Sequence, residues 1–177
     1  MKSELGIAYK GKRVLVTGHT GFKGSWLTIW LLELGADVIG YSLKPVTRPS
    51  IFVQAGLSKK ITSVIADVRD LKKLKETVNM YNPQIIFHLA AQSFVRESYR
   101  NPHETFEINC LGTANVCEAM KQNKKIKGLV AVTTDKVYAN TGKSSGYREN
   151  DPLGGFDPYS SSKAAAELVC ASYRDSY

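Results

Sequence analysis

Tyr159 and Lys163 in "DPYSSSKAAAE" are four residues apart, so on a helix both project from one face. An ammonium beside a phenol favours the phenolate, which suits Tyr159 to proton transfer and leaves Lys163 able to hold a ribose hydroxyl as well. Such a pair arises often by chance, and its bland counterpart is two exposed side chains on a helix. Its company changes the reading. "VLVTGHTGFKGSWL" puts Gly18, Gly21 and Gly24 on the turn between a first strand and a first helix. Glycines there let the backbone approach a pyrophosphate, whose charge sits at the helix N-terminus. A tight turn that only packed a helix would need fewer of them.

Further polar groups fall at other strand ends. "HLAAQ" offers Ala90, Ala91 and Gln92 to the nicotinamide side of a dinucleotide. Asp67 and Val68 close a third strand, where they could reach an adenine ring; Asp67 reads equally as an acidic flank of the helix starting near Asp70. An NAD site usually has an acidic residue at the end of the second strand for the ribose. Here Ser42 stands there, with Lys44 and Arg48 close behind, which leaves NADP open beside NAD. "TTDKVY" places Thr134, Asp135 and Lys136 at the exit of an apolar run. By residue type, Lys136 is a surface lysine, half of an ion pair with Asp135, or part of the chemistry.

The elements that must position these groups alternate. "RVLVTG" is a buried strand, followed by the helix "SWLTIWLLELG" with Trp26, Trp30, Leu27, Leu31 and Leu34 at helical spacings. Then come the strand "DVIGYSL", a polar loop with Pro45 and Pro49, the strand "ITSVIADV", the helix "DLKKLKETVNMY" and the strand "QIIFHLAA". A long helix over 101–123 carries Phe106, Cys110, Thr113, Cys117 and Met120 along one stripe. A buried strand "KGLVAVTTDKVY", a loop rich in Gly and Pro, and the helix "YSSSKAAAELVCASYRDSY" finish the chain. Strand and helix repeated without a hairpin signal predict an α/β fold, a Rossmann-type doubly wound parallel sheet over 1–177 with its ligand at the carboxyl ends of the strands. The chain stops in or just after a helix, with no closing strand, and reads as cut short, with most of a C-terminal substrate domain absent.

Composition sets the outer limits. A chain of 177 residues, 43% hydrophobic and 23% charged, suits one globular domain. The net charge of +8 raises nucleic-acid binding, but the lysines are dispersed, no basic stripe is interleaved with aromatics, and no helix-turn-helix or zinc pattern appears. An anionic small substrate accounts for part of that charge equally well. No membrane span and no secretory leader are legible, so the expected location is the cytoplasm. Cys110, Cys117 and Cys170 form no CxxC pair and read as reduced, core-packed thiols, with no metal site expected.

"TGHTGFKG", "HLAAQ", "TTDKVY" and "YSSSK" together resemble the extended short-chain dehydrogenase/reductase family, which acts on nucleotide sugars. "GHTGFKGSWL", "FHLAAQSFVRESY", "TTDKVY" and "GYREND" are most similar to its CDP-sugar 4,6-dehydratase branch. The likeness runs from about Lys12 to the end and covers the cofactor domain only. It implies cofactor contacts from Gly18, Thr20, Gly21, Phe22, Lys23, Gly24, Ser42, Asp67, Val68, Leu89, Ala90, Ala91, Gln92, Thr133, Tyr159 and Lys163, with NAD as cofactor. It also implies a three-part reaction. Tyr159 takes the C4 hydroxyl proton as hydride passes from C4 to NAD, water is lost across C5 and C6, and hydride returns to C6. Thr134 hydrogen-bonds the C4 oxygen and Asp135 protonates the departing C6 hydroxyl. Sister dehydratases have glutamate next, as base at C5; this sequence has Lys136. An epimerase needs Tyr159 and Lys163 but no Asp-Lys pair, and a non-catalytic nucleotide-binding module would need neither. The resemblance further suggests a homodimer in which the 101–123 helix and the last helix (Ala164, Leu168, Cys170, Ala171) pair with their copies.

Overall fold

The computed structural model describes residues 4–121 and 123–177. After a short helix α1 (Glu4–Tyr9), five parallel strands form one sheet in the order β3-β2-β1-β4-β5. They are β1 (Arg13–Thr17), β2 (Asp37–Ser42), β3 (Thr62–Ile65), β4 (Ile85–His88) and β5 (Gly128–Ala131). The order reverses between β1 and β4, so a crevice opens at their carboxyl ends, where Thr17 lies in register with Tyr41 and His88.

Both faces of the sheet are covered, which explains the unbroken apolar runs of β1 and β2. Val14, Val16 and Val38 meet Leu31 of α2 (Phe22–Glu33) on one face. Leu15, Ile39 and Ile86 meet Leu74 and Val78 of α4 (Leu71–Tyr81) and Val116 on the other. The face that α2 turns inward is small: Gly24, Ser25, Thr28 and Leu31. The two tryptophans of the predicted stripe cannot fit there, and Trp26 and Trp30 point outward, both more than half exposed.

Several boundaries differ from the sequence expectation. The polar loop after β2 contains a short helix, α3 (Ile51–Gln54), whose Phe52 packs edge-on against His19. "VRESYR" forms α5 (Val95–Arg100), not foreseen. The single helix expected over 101–123 is α6 (Pro102–Phe106) and α7 (Gly112–Met120), joined by a π-helical turn, Glu107–Leu111. Such turns recur at functional sites.

The largest correction concerns the expected buried strand "KGLVAVTTDKVY". β5 ends at Ala131, opposite the last residue of β4, His88, and the Val132 N–H makes the final bond to the sheet on the His88 carbonyl at 3.0 Å. Val132 to Thr134 leave the sheet, and Asp135–Val137 coil into a 3-10 turn. β5 is also an edge strand, half-exposed rather than buried, because no further strand lies beside it among the described residues. α8 (Pro158–Ser176) closes the fold. Asp157 caps it, accepting from the Ser160 N–H at 3.0 Å and the Ser160 hydroxyl at 2.7 Å. No described helix is long and apolar enough to cross a membrane.

Candidate active site

The turn from β1 to α2 is built for close approach. Gly18 has φ +76°, and a Cβ there would lie 2.8 Å from the Ala90 nitrogen. A Cβ on Gly24 would run into the Gly18 carbonyl, so α2 docks directly on the turn. Gly21 caps α2 with no side chain, leaving the N–H groups of the first helical turn open to the crevice. That is an anion-binding arrangement with room for a pyrophosphate.

The crevice is a cleft of about 630 Å³. Its walls contain every residue the sequence assigns to cofactor binding. Gly18, Thr20, Gly21, Phe22, Lys23 and Gly24 come from the turn, Ser42 from the end of β2, and Asp67 and Val68 from beyond β3. Leu89, Ala90, Ala91 and Gln92 follow β4, Thr133 follows β5, and Tyr159 and Lys163 stand on α8. Tyr41, Val46, Thr47, Phe94, Glu97 and Ile108 line it too. Phe94 and Glu97 lie within the stretch FHLAAQSFVRESY without an assigned role, and the other four carry no motif.

Many of these side chains are already engaged. The Thr20 hydroxyl donates to the Leu43 carbonyl at 2.8 Å and so accepts from Ser42, 2.9 Å away. Both amide ends of Gln92 hold its own loop, accepting from the Phe94 N–H and donating to Thr105. Asp67 pairs with Arg69 at 2.7 Å and also takes the Arg69 N–H. Burial raises the Asp67 carboxyl, but those bonds outweigh it and hold it below the usual carboxylate range. The capping role near this helix belongs instead to Asp70, which accepts from the Lys73 N–H at 2.9 Å.

Lys163 is only 5% exposed, and its ammonium donates to the Val132 carbonyl at 2.9 Å. Burial lowers its pKa to about 8; Cys170 opposes that shift and Lys23 adds to it. Half-buried Tyr159 sits one turn earlier on the cleft side. Two positioning groups had no sequence signal beyond their type. Glu167, one turn beyond Lys163, accepts from the Thr133 hydroxyl at 2.6 Å. Asn109, on the π-helical turn, accepts from the Gln92 N–H at 2.8 Å and donates to Ser162 at 2.9 Å.

Thr134, Asp135 and Lys136 are not in the cleft wall. Thr134 caps the 3-10 turn just beyond it, where its hydroxyl donates to Asp135 at 3.1 Å and Asp135 and Lys136 are exposed. The stripe proposed for assembly also divides. Thr113, Cys117 and Ala164 are buried, because α7 and α8 turn those positions to their own core, whereas Phe106 and Leu168 are exposed. Cys170 and Ala171 line a separate cavity of about 600 Å³ between α7, α8 and β5. All three cysteines are free thiols, and no cluster of His, Cys, Asp and Glu able to hold a metal occurs among the described residues.

The geometry has counterparts among known proteins. Residues 15–177 match the family model described as GDP-mannose 4,6 dehydratase. The CDP-glucose 4,6-dehydratase of Salmonella typhimurium is 50% identical over 169 residues, which are 96% of this chain and 47% of that protein. The UDP-glucose 4-epimerase of Thermus thermophilus, solved with NAD, superposes with a TM-score of 0.83 at 31% identity, over 93% of this chain and 51% of that one. The dTDP-glucose 4,6-dehydratase of Streptomyces venezuelae, also solved with NAD, gives 0.81 at 28% identity, over 93% and 52%. The chain thus spans about half the length of the relatives it matches. The fold agrees over that span, and the chain belongs to the GDP-mannose 4,6-dehydratase family of short-chain dehydrogenases/reductases.

Proposed function

We propose that this chain is the cofactor-binding part of a sugar-nucleotide 4,6-dehydratase that uses NAD and takes CDP-glucose to CDP-4-keto-6-deoxyglucose. The observation that carries the reading is the cleft itself, which gathers the glycine turn, the strand-end residues and the Tyr159–Lys163 pair around one space. Bound NAD would supply an acceptor for the C4 hydride and return it at C6. The pyrophosphate would lie on the open N–H groups of Phe22 and Lys23 in the first turn of α2, with Lys163 reaching the nicotinamide ribose. Tyr159, on the cleft side of α8, takes the C4 hydroxyl proton. Thr134 orients the C4 oxygen, and Asp135 delivers a proton to the C6 hydroxyl as water leaves. Ser42 at the end of β2 bears no charge to oppose either ribose form, and the NAD-bound relatives support NAD over NADP.

The epimerase among the relatives makes a second reading, an NDP-sugar epimerase that uses the same Tyr159 and Lys163. The adjacent Asp135 and Lys136 favour the dehydratase, because epimerisation has no leaving hydroxyl to protonate. The protein is taken to act in the cytoplasm, as a homodimer through the outward faces of α6, α7 and α8. The deciding experiment incubates the protein with CDP-, dTDP-, GDP- and UDP-glucose. A 4-keto absorbance in alkali with CDP-glucose is expected. An epimerised sugar, or turnover of another nucleotide alone, would overturn the assignment.

A further inference from the structure

A continuous set of interior hydrogen bonds joins the cofactor side of the cleft to the helix that carries Tyr159. It starts where β4 ends. The N–H groups of Leu89 and Ala90 both donate to Thr17 Oγ1, each at 3.1 Å. Thr17 Oγ1 lies 2.7 Å from His88 Nδ1, and His88 Nε2 lies 3.0 Å from Thr113 Oγ1. The Thr113 hydroxyl donates to the Asn109 carbonyl at 2.6 Å. Asn109 Nδ2 donates to Ser162 at 2.9 Å, and the Ser162 hydroxyl donates to the Tyr159 carbonyl at 2.7 Å. Thr17, His88, Asn109, Thr113 and Ser162 are each no more than 2% exposed.

The protons can be assigned one by one. A carbonyl only accepts, so the single Thr113 proton is used on Asn109, and the Thr113 oxygen must accept from His88. His88 therefore carries its proton on Nε2. A neutral ring then accepts at Nδ1, which takes the Thr17 proton and leaves the Thr17 lone pairs for Leu89 and Ala90. The ring is neutral because burial, with the nearby Lys163 charge, lowers its pKa to about 3. A histidine buried only for packing would satisfy itself locally. Here each end holds something functional: on one side the Leu89–Ala90 wall against which Gly18 fits, on the other the turn of α8 that presents Tyr159.

We propose that His88 is a positioning residue, whose Nε2–H tautomer ties the cofactor wall at Leu89 and Ala90 to the Tyr159 turn of α8 through Thr17 on one side and Thr113, Asn109 and Ser162 on the other. Only the Tyr159 half of this proposal rests on the dehydratase reading.

The test separates the two halves. In Thr17→Val the Ala90 N–H loses its acceptor while the Leu89 N–H keeps only the Thr17 carbonyl, and NADH affinity should fall about tenfold, as for a buried polar group left unpaired. Thr113→Val should leave NADH affinity within about twofold yet slow single-turnover oxidation of the sugar nucleotide about tenfold. His88→Phe should do both, and Thr17→Ser and Thr113→Ser should restore wild-type behaviour. Independently of any variant, long-range 1H–15N spectra of the protein should show His88 protonated at Nε2 alone between about pH 5 and about pH 8. A ring protonated at Nδ1 would overturn the proposal. So would affinity and rate that move together in all three variants, since that is the signature of packing alone. The tautomer and the NADH affinities need no sugar nucleotide, so they decide the proposal even if the dehydratase reading fails.

Discussion

Lys136 shows how far residue type can be read without geometry. The position is exposed, on a turn just outside the cleft, and its charge reaches Asp157 at the start of α8. Burial raises the Asp157 carboxyl, but the Ser160 hydrogen bonds and then the Lys136 ammonium bring it below the usual range. A lysine that only steadies a cap would leave the chemistry untouched. A lysine that works with Asp135 would stabilise the charge growing at C5 and C4 as water leaves, or take the C5 proton itself. The latter predicts that Lys136→Met still binds NADH and still oxidises C4, but eliminates water about a hundredfold more slowly, the usual scale of a lost acid–base group. The NADH band should then build up in a single turnover; wild-type kinetics would return Lys136 to the capping role. If it is the base, Lys136→Glu should keep substantial activity. Gly21 allows a cleaner test of the cleft. A Cβ there meets only the Gly18 carbonyl, at 3.4 Å, so Gly21→Val should fold normally while its methyl groups occupy the pyrophosphate space. Calorimetry should show NADH affinity reduced at least tenfold; unchanged affinity would move the cofactor elsewhere.

At the scale of elements, what is periodic is legible and what depends on a neighbour is not. β1 and β2 are apolar on both faces, and the alternation with helices is enough to predict a parallel sheet. The end of β5 is different. Nothing in "VAVTTDKVY" says that its partner β4 stops at His88, so the strand appears longer in sequence than it is. The faces of α2 are likewise set by its partner: a strand-facing side of Gly24, Ser25 and Thr28 excludes the tryptophans that dominate the helical pattern. The π-helical turn has no sequence signature either, yet it aims Asn109 at Gln92 and Ser162. Caps are local and therefore legible, and α8 depends on one. Asp157→Ala removes both acceptors for Ser160 and should cost about 1 kcal/mol. Thermal unfolding should show a drop of a few degrees, largely recovered in Asp157→Asn. An unchanged midpoint would mean that Pro158 and packing alone start the helix that carries Tyr159 and Lys163.

The molecule as a whole buries three basic groups and lowers the pKa of each, which burial decides and sequence cannot announce. His19, with its ring nitrogen 2.7 Å from Ser63, titrates at about 4 instead of 6.5, and His88 at about 3, each chiefly through burial. For both, the unfolded chain binds the proton more readily. Their contribution to stability is present above about pH 6.5 and is lost as pH falls through about 4 and about 3. Lys163 acts in the alkaline range with the same sign. Its folded value of about 8 lies below the ordinary 10.5, so burying its charge weakens the fold at neutral pH, and stability rises as pH climbs from about 8 towards 10.5. The difference corresponds to about 3 kcal/mol at most. A penalty of this kind at Lys163, on the wall of the cleft, fits the cofactor-binding role proposed for it. Urea unfolding against pH should therefore show a loss on the acid side and a rise above pH 8. Lys163→Met should abolish the alkaline rise and be more stable than the parent near pH 7, while losing the proposed activity. A variant no more stable, with the alkaline rise intact, would show that the ammonium is as well solvated in the folded chain as in the unfolded one.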